Sequence, residues 1–462
     1  MAENKDMIAG YMDFLTRGKT ERECCELIVE IARAHGYKNI DECKSLKAGD
    51  KVFITKWGKA AALFNIGTEP IEKGMNILGA HIDSPRLDVK QNPLYENDFL
   101  VYLNTHYYGG IKKYQWLTLP LAIHGVVCKT DGTTVNVCVG EKPEDPVFCI
   151  ADILPHLAQK QMKETASDFI PGESLDLILG SEIPPERFRD DDSDADLSES
   201  KGAGKEKSGE KAKKNILRIL NETYGIREED FGSAELEIVP AGAPRFLGFD
   251  RSMILAYGQD DRSCAFTSVQ ATVESGKLAR TACCLCVDKE EIGSVGSTGM
   301  ASHFFENAVA EIAARLGEYS ELSVRRCMNN SYMLSSDVNA AYDPQHSDLY
   351  DKANSSFLNG GIVFNKYTGA RGKSGASDAS PEFIAKLRAV LEKAGVTYQM
   401  AELGKVDQGG GGTIAYLAAK YGMYVLDAGV SVLSMHAPWE ITAVEDLVQA
   451  FNAYKSFLGI AD

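Results

Sequence analysis

The amino-acid sequence predicts an α/β protein: a three-layer α/β domain with a central mixed sheet, interrupted by a β-rich insert. Three observations lead there. Apolar, strand-like runs lie on both sides of a long stretch of different texture. That stretch, from about Asn92 to Phe148, holds short strands and turns without interleaved helices. Beyond it the α/β rhythm resumes, and residues 380–427 alternate helix and strand. At 462 residues the chain exceeds one ordinary domain. The expected division is therefore residues 1–91 with 246–462 for the α/β domain, and 92–245 for the insert.

The elements follow in order. Two helices open the chain. In the second, Thr20 and Glu23 form a capping box, Cys24, Leu27, Ile28, Ile31 and Ala32 make the apolar stripe, and Gly36 ends it. Strands are expected at 51–55, 60–65 and 75–80, and within the insert at 121–128 and 134–138. Residues 185–214 are highly charged and poor in apolar groups, so they read as a solvated loop. The run Thr281-Ala-Cys-Cys-Leu-Cys-Val287 is a buried strand. Ser380-Pro381 opens a helix with the stripe Phe383, Ile384, Leu387, Val390 and Leu391, ended by Gly395. A strand at 396–403, a glycine turn at 409–412, a helix from Thr413 and a strand at 423–427 complete the series.

Composition narrows the function. A net charge of −17 argues against nucleic acid and anionic membranes as partners. The N-terminus lacks a basic start followed by an apolar stretch, and no apolar run reaches the length of a membrane span. Eleven cysteines, an odd number with several adjacent, read as reduced thiols of a cytoplasmic protein. Cys283, Cys284 and Cys286 lack the paired spacing of a zinc knuckle and alternate across a strand, so they are expected in the core.

The chemistry concentrates where apolar runs end. Glu290 and Glu291 follow the run 281–287, His81 and Asp83 follow 75–80, and Asp337 and His436 close two similar segments. Paired acids beside a core are tolerable when one binds a cation and the other moves protons. In open α/β sheets ligands lie beyond the carboxyl ends of strands, so His81, Glu290, Glu291 and Asp337 are expected at one edge. Two divalent ions about 3.5 Å apart need a bridging carboxylate. Asp260 is the expected bridge, with Asp261 beside it as the other possibility. His81 and His436 supply nitrogens that favour zinc over magnesium. Asp83 is placed to orient the His81 imidazole, Glu291 to bind metal, and Glu290 to act as general base and then acid.

His81-Ile-Asp83-Ser-Pro85, Asp288-Lys-Glu290-Glu291-Ile-Gly293, Ser336-Asp337 and Ser434-Met-His436 together resemble the motifs of the aspartyl aminopeptidase/aminopeptidase I family. The likeness runs over most of the chain in the same order. It implies a dinuclear zinc aminopeptidase acting on peptides, with two zinc ions per subunit and cobalt or manganese as possible substitutes. It also implies an inserted dimerisation domain and a tetrahedral homo-oligomer, a dodecamer. On the matching positions His81, Asp260, Glu291, Asp337 and His436 would be ligands, Glu290 the base and Asp83 the orienting acid. Gly410 and Gly411 would contact the substrate backbone, Lys366 an acidic side chain, and His156 a neighbouring subunit's site. An acidic or a neutral, Leu-like N-terminal residue both remain open. The alternatives are a glutamyl aminopeptidase-like enzyme or deacylase on the same scaffold, and a catalytically dead metal-binding assembly protein. Asp260-Asp261-Arg262 departs from the family's usual Asp-Asn and is closer to the glutamyl aminopeptidase pattern. No Gly-x-Ser-x-Gly elbow and no His-Glu-x-x-His helix is present.

Overall fold

The computed structural model describes residues 2–181, 210–369 and 371–461. It contains two compact units, Met1–Pro85 with Ala243–Asp462, and Arg86–Gly242. The first change of unit falls at Arg86 rather than Asn92. The strand Arg86–Asn97 runs continuously across Asn92, and its early residues Leu87 and Asp88 already pair with Ile238 and Glu237.

The first unit is built on a mixed nine-stranded sheet. Its order is Lys38–Asn39, Lys51–Lys56, Ala60–Asn65, Thr281–Val287, Met75–His81, Tyr332–Ser335, Tyr424–Gly429, Ile362–Asn365 and Tyr398–Met400. The four strands from Thr281–Val287 to Tyr424–Gly429 run parallel, so their carboxyl ends share one edge. Successive side chains of a strand point to opposite faces. Leu78, Ala80, Cys284, Cys286, Leu334 and Leu426 accordingly join one apolar cluster, with residues of the helices Glu21–Ala34, Gln259–Val273, Pro381–Ala394 and Val444–Leu458. Ile77, Cys283, Leu285, Met333 and Val425 join the other, with the helices Phe304–Leu316, Glu321–Asn329 and Ala415–Ala419. Helices on both faces of one sheet give the three layers.

The local signals behave as their chemistry dictates. Thr20 and Glu23 close the capping box on Glu21–Ala34, and Ser380 caps Pro381–Ala394 with proline in its first turn. All eleven cysteines are free thiols. Seven are buried, but Cys128 and Cys138 are exposed, so burial is not general.

Other expectations need correction. The strand at 396–403 shrinks to Tyr398–Met400 at the sheet edge, where only one neighbour pairs with it. The helix from Thr413 begins at Ala415. Ser431–Leu433 belongs to a five-stranded sheet with Arg245–Leu247, Met253–Ala256, Glu440–Ala443 and Asn339–Ala340. Of the expected loop at 185–214, residues 185–209 lie outside the described residues. Lys211 to Lys214 start the helix Lys211–Tyr224, whose Ala212 and Asn215 are buried.

The second unit holds a six-stranded antiparallel sheet, ordered Thr134–Val139, Leu121–Cys128, Ala234–Pro240, Arg86–Asn97, Leu100–Tyr108 and Leu177–Gly180. Among the described residues, no helix is long and apolar enough to cross a membrane.

Candidate metal centre

The parallel register carries ligand-type residues to one place. His81 ends its strand opposite Val287. The chain beyond Val287 therefore delivers Glu290 and Glu291 beside it. On the other flank Ser335 pairs with Gly79, and Asp337 follows two residues later. A Cβ on Gly429 would stand 1.8 Å from the Asp337 carbonyl oxygen, so glycine there permits the close approach. Asp260 sits at the start of the helix Gln259–Val273, after Gly258 at a φ of 68°. A Cβ on Gly258 would collide with the Arg262 guanidinium at 1.7 Å.

Asp260 faces both histidines. Its Oδ1 lies 3.2 Å from His81 Nε2, and its Oδ2 lies 3.3 Å from His436 Nε2. His81 Nε2 is also 3.8 Å from Asp337 Oδ1, and His436 Nε2 is 3.6 Å from Glu291 Oε2. Glu291 Oε1 is buried without a hydrogen-bond partner. This set of imidazole nitrogens and carboxylate oxygens suits a borderline-soft divalent cation such as zinc. Asp261 stands behind: its Oδ2 accepts the His81 backbone N–H at 3.3 Å, and it does not line the adjoining cavity. Donors of His81, Asp261 and Asp337 nonetheless lie within 4.8 Å of one another.

Asp83 is fully buried and holds several groups at once. Its carboxylate accepts the backbone N–H groups of Glu290 at 3.1 Å and Glu291 at 3.2 Å. His81 Nδ1 is 3.0 Å from the Asp83 carbonyl oxygen and 3.3 Å from its Oδ1. The carbonyl is the nearer acceptor for the imidazole. The carboxylate also sets the turn that carries the two glutamates.

Sequence reasoning missed Glu440. Its Oε1 accepts the His436 backbone N–H at 2.7 Å and its Oε2 accepts that of Asp260 at 3.0 Å. It also missed Asp427, which lines the cavity and accepts the Thr413 hydroxyl at 2.5 Å. Asp427 ends the expected strand 423–427, a signal that could have found it, whereas Glu440 opens a short strand whose pairing alone reveals it.

So many buried acids disturb one another. Burial pushes the Glu290 carboxyl up to about 7 and that of Glu440 up to about 8, with the Asp260 charge adding to both. Burial likewise drives Glu291 and Asp337 well above the ordinary carboxylate range. It opposes ionisation of Asp260 too, but hydrogen bonds with His436 and His81 outweigh it and hold Asp260 low. Burial disfavours charge on His81, yet its contacts with Asp260 and Asp83 raise it above its usual range. Cations at this cluster would offset the desolvation.

A stability prediction follows for chelated protein. Glu290 and Glu440 bind protons more tightly folded than unfolded, where both titrate near 4.5. Their contribution is complete below about pH 4.5 and is lost as pH rises through about 7 to 8. The Tm of chelated protein should therefore fall over that window, and zinc should reduce the fall. Scanning calorimetry with and without chelator checks this; a Tm of the chelated protein that rises towards pH 8 would contradict it.

The cluster opens into a cavity of about 440 Å³ lined by His81, Asp260, Glu290, Glu291, Asp337 and His436 on one side. Gly410 and Gly411 line it as well. Lys366 does not: it is exposed, and the lining residues from its segment are Asn365 and Thr368. His156 is exposed in the second unit.

Histidines and acids gathered at a sheet edge beside a cavity fit a metal-dependent hydrolase. The family model for aminopeptidase I zinc metalloproteases (M18) matches residues 14–458. The chain belongs to the M18 family, and it is a metal-dependent aminopeptidase. A probable M18 family aminopeptidase 1 of Clostridium acetobutylicum is 56% identical over 97% of this chain and 93% of its own length. The crystal structure of an M18 aminopeptidase from Thermotoga maritima superposes with a TM-score of 0.91 at 42% identity, covering 99% of this chain and 96% of that one. That of aminopeptidase I from C. acetobutylicum gives 0.88 at 54% identity, covering 97% and 94%.

Proposed function

We propose that the enzyme removes N-terminal residues from peptides at a dinuclear zinc centre. The observation that carries this is the Asp260 carboxylate, which offers one oxygen towards each histidine. His81 and Asp337 complete one ligand set, and His436 and Glu291 the other. Asp260 is the bridge in this reading, because Asp261 spends one oxygen on a backbone amide and stays outside the cavity. When bound, the zinc pair supplies Lewis-acid polarisation of the scissile carbonyl and lowers the pKa of water. Glu290, in the cavity wall, takes the proton from the attacking water and hands it to the leaving amine. Asp83 holds Glu290 in place through its backbone N–H. Gly410 and Gly411 offer backbone groups to the peptide. Cobalt or manganese would serve as substitute metals.

Among the described residues, the cavity lining includes no lysine or arginine, while Val338, Leu403, Tyr416 and Met435 add apolar surface. This supports a neutral, Leu-like N-terminal residue over an acidic one. A panel of aminoacyl chromogenic substrates with zinc, cobalt and manganese tests the reading, with N-acyl amino acids in parallel. Leucyl substrates should turn over fastest; preference for aspartyl or glutamyl substrates would overturn the assignment of specificity, and activity confined to N-acyl substrates that of the reaction.

The second unit is proposed to mediate self-association into a tetrahedral dodecamer, with His156 reaching a neighbouring subunit's site. A solved structure described as the S. cerevisiae mApe1 dodecamer, 20% identical with a TM-score of 0.75, is compatible with this. Sedimentation should give the mass of twelve 50.3 kDa chains, and a monomer would refute it. The free thiols support a cytoplasmic setting.

A further inference from the structure

One buried carboxylate joins the two ligand segments that the chain itself keeps far apart. Glu440 opens the strand Glu440–Ala443, which lies between Met253–Ala256 and Ser431–Leu433. Met253–Ala256 leads directly into Gly258 and Asp260, and Ser431–Leu433 leads into His436. The pairing therefore brings both segments against the same side chain. Glu440 Oε1 accepts the His436 N–H at 2.7 Å, and Oε2 accepts the Asp260 N–H at 3.0 Å. The Glu440 backbone is anchored in turn, because Gln259 Nε2 donates to its carbonyl oxygen at 2.7 Å.

These bonds matter because of the backbone they hold. Ser434 and His436 have φ values of 58° and 65°, a region that residues with a Cβ enter only when their surroundings hold them there. The His436 side chain is partly exposed, so packing alone fixes it poorly. Both oxygens of one carboxyl group accept backbone N–H groups, so a single side chain fixes two segments at once. Fixing both backbones fixes the 3.3 Å approach of His436 Nε2 to Asp260 Oδ2.

We infer that Glu440 is a positioning residue that aligns Asp260 and His436 for metal binding, a role resting on the reading of those two residues as ligands. Asp83 serves Glu290 and Glu291 in the same manner, so buried acids hold the backbone at two places in the centre. Glu440 touches neither substrate nor metal in this account, and it does not line the cavity.

The test compares Glu440→Gln and Glu440→Asp with Asp260→Asn in the full-length protein. Glutamine keeps the volume but turns an NH₂ towards one of the two N–H groups; aspartate keeps both acceptor oxygens on a shorter stem. Glu440→Gln should weaken zinc binding roughly 10- to 100-fold by competition titration, the range seen when such supporting groups are removed. It should change the visible absorption of the cobalt-loaded protein and lower kcat more than it raises KM. Glu440→Asp should recover part of the loss. A Tm lowered equally with and without zinc, at wild-type zinc affinity, would overturn the inference and leave Glu440 a structural residue. If Asp260→Asn loses zinc while Glu440→Gln binds it as the wild type does, only the positioning role fails. If Asp260→Asn keeps full zinc stoichiometry, the ligand reading beneath it fails.

Discussion

Glu290→Gln is expected to lower kcat by at least about a hundredfold while zinc content stays at the wild-type level. The amide matches the carboxylate in size, so the cavity wall is preserved. What is lost is the ability to accept a proton from water and return it to the leaving amine. Glu290 suits that task because it lines the cavity beside the ligand residues, within reach of a bound water. Its position rests on the backbone N–H donated to Asp83, which the substitution leaves intact. Steady-state kinetics together with metal analysis by mass spectrometry measures both quantities. Wild-type kcat would remove Glu290 as the proton carrier. Loss of zinc along with activity would instead assign it to the ligand set.

The second large effect is on metal itself. His81→Ala and His436→Ala are each expected to lower bound zinc and abolish turnover, and His81→Ala should be the more disruptive. His81 is buried, carries contacts to Asp260, Asp337 and Asp83, and ends a central strand. His436 is partly exposed, and its ring nitrogen faces Asp260 and Glu291. Removing either imidazole leaves buried carboxylates facing each other with less positive charge, a cost of several kcal/mol per ion even after relaxation. Zinc stoichiometry by metal analysis is the readout. Two zinc ions per chain in both variants would discard these ligands.

Much of the site was legible because the large sheet is read by alternation and its ends by chemistry. The runs 75–80 and 281–287 are continuous and apolar because helices cover both faces, and such strands must be central. Charged residues at the end of a central strand are visible without any structure. That placed His81, Glu290, Glu291 and Asp337 at one edge, where they stand.

His436 was harder. Its segment looks like another strand of the large sheet, but it lies in the five-stranded sheet and reaches the site through two left-handed residues. Nothing in the residue types announces such a turn. Glu440 was invisible for a related reason. Its function depends on which strands pair, a long-range property spread over residues 253 to 443. The choice between Asp260 and Asp261 also needed coordinates, since adjacent aspartates are equivalent in sequence and only one faces both histidines. Lys366, which the resemblance implies as a contact for an acidic side chain, is exposed and does not line the cavity, a placement that depends on the loop and not on residue type.

Anomalous diffraction from crystals grown with zinc tests the central claim most directly. Two zinc peaks should flank the Asp260 carboxylate, one against His81 and Asp337, the other against His436 and Glu291. A single peak in fully loaded crystals, or a pair of peaks that does not share Asp260, would contradict the account.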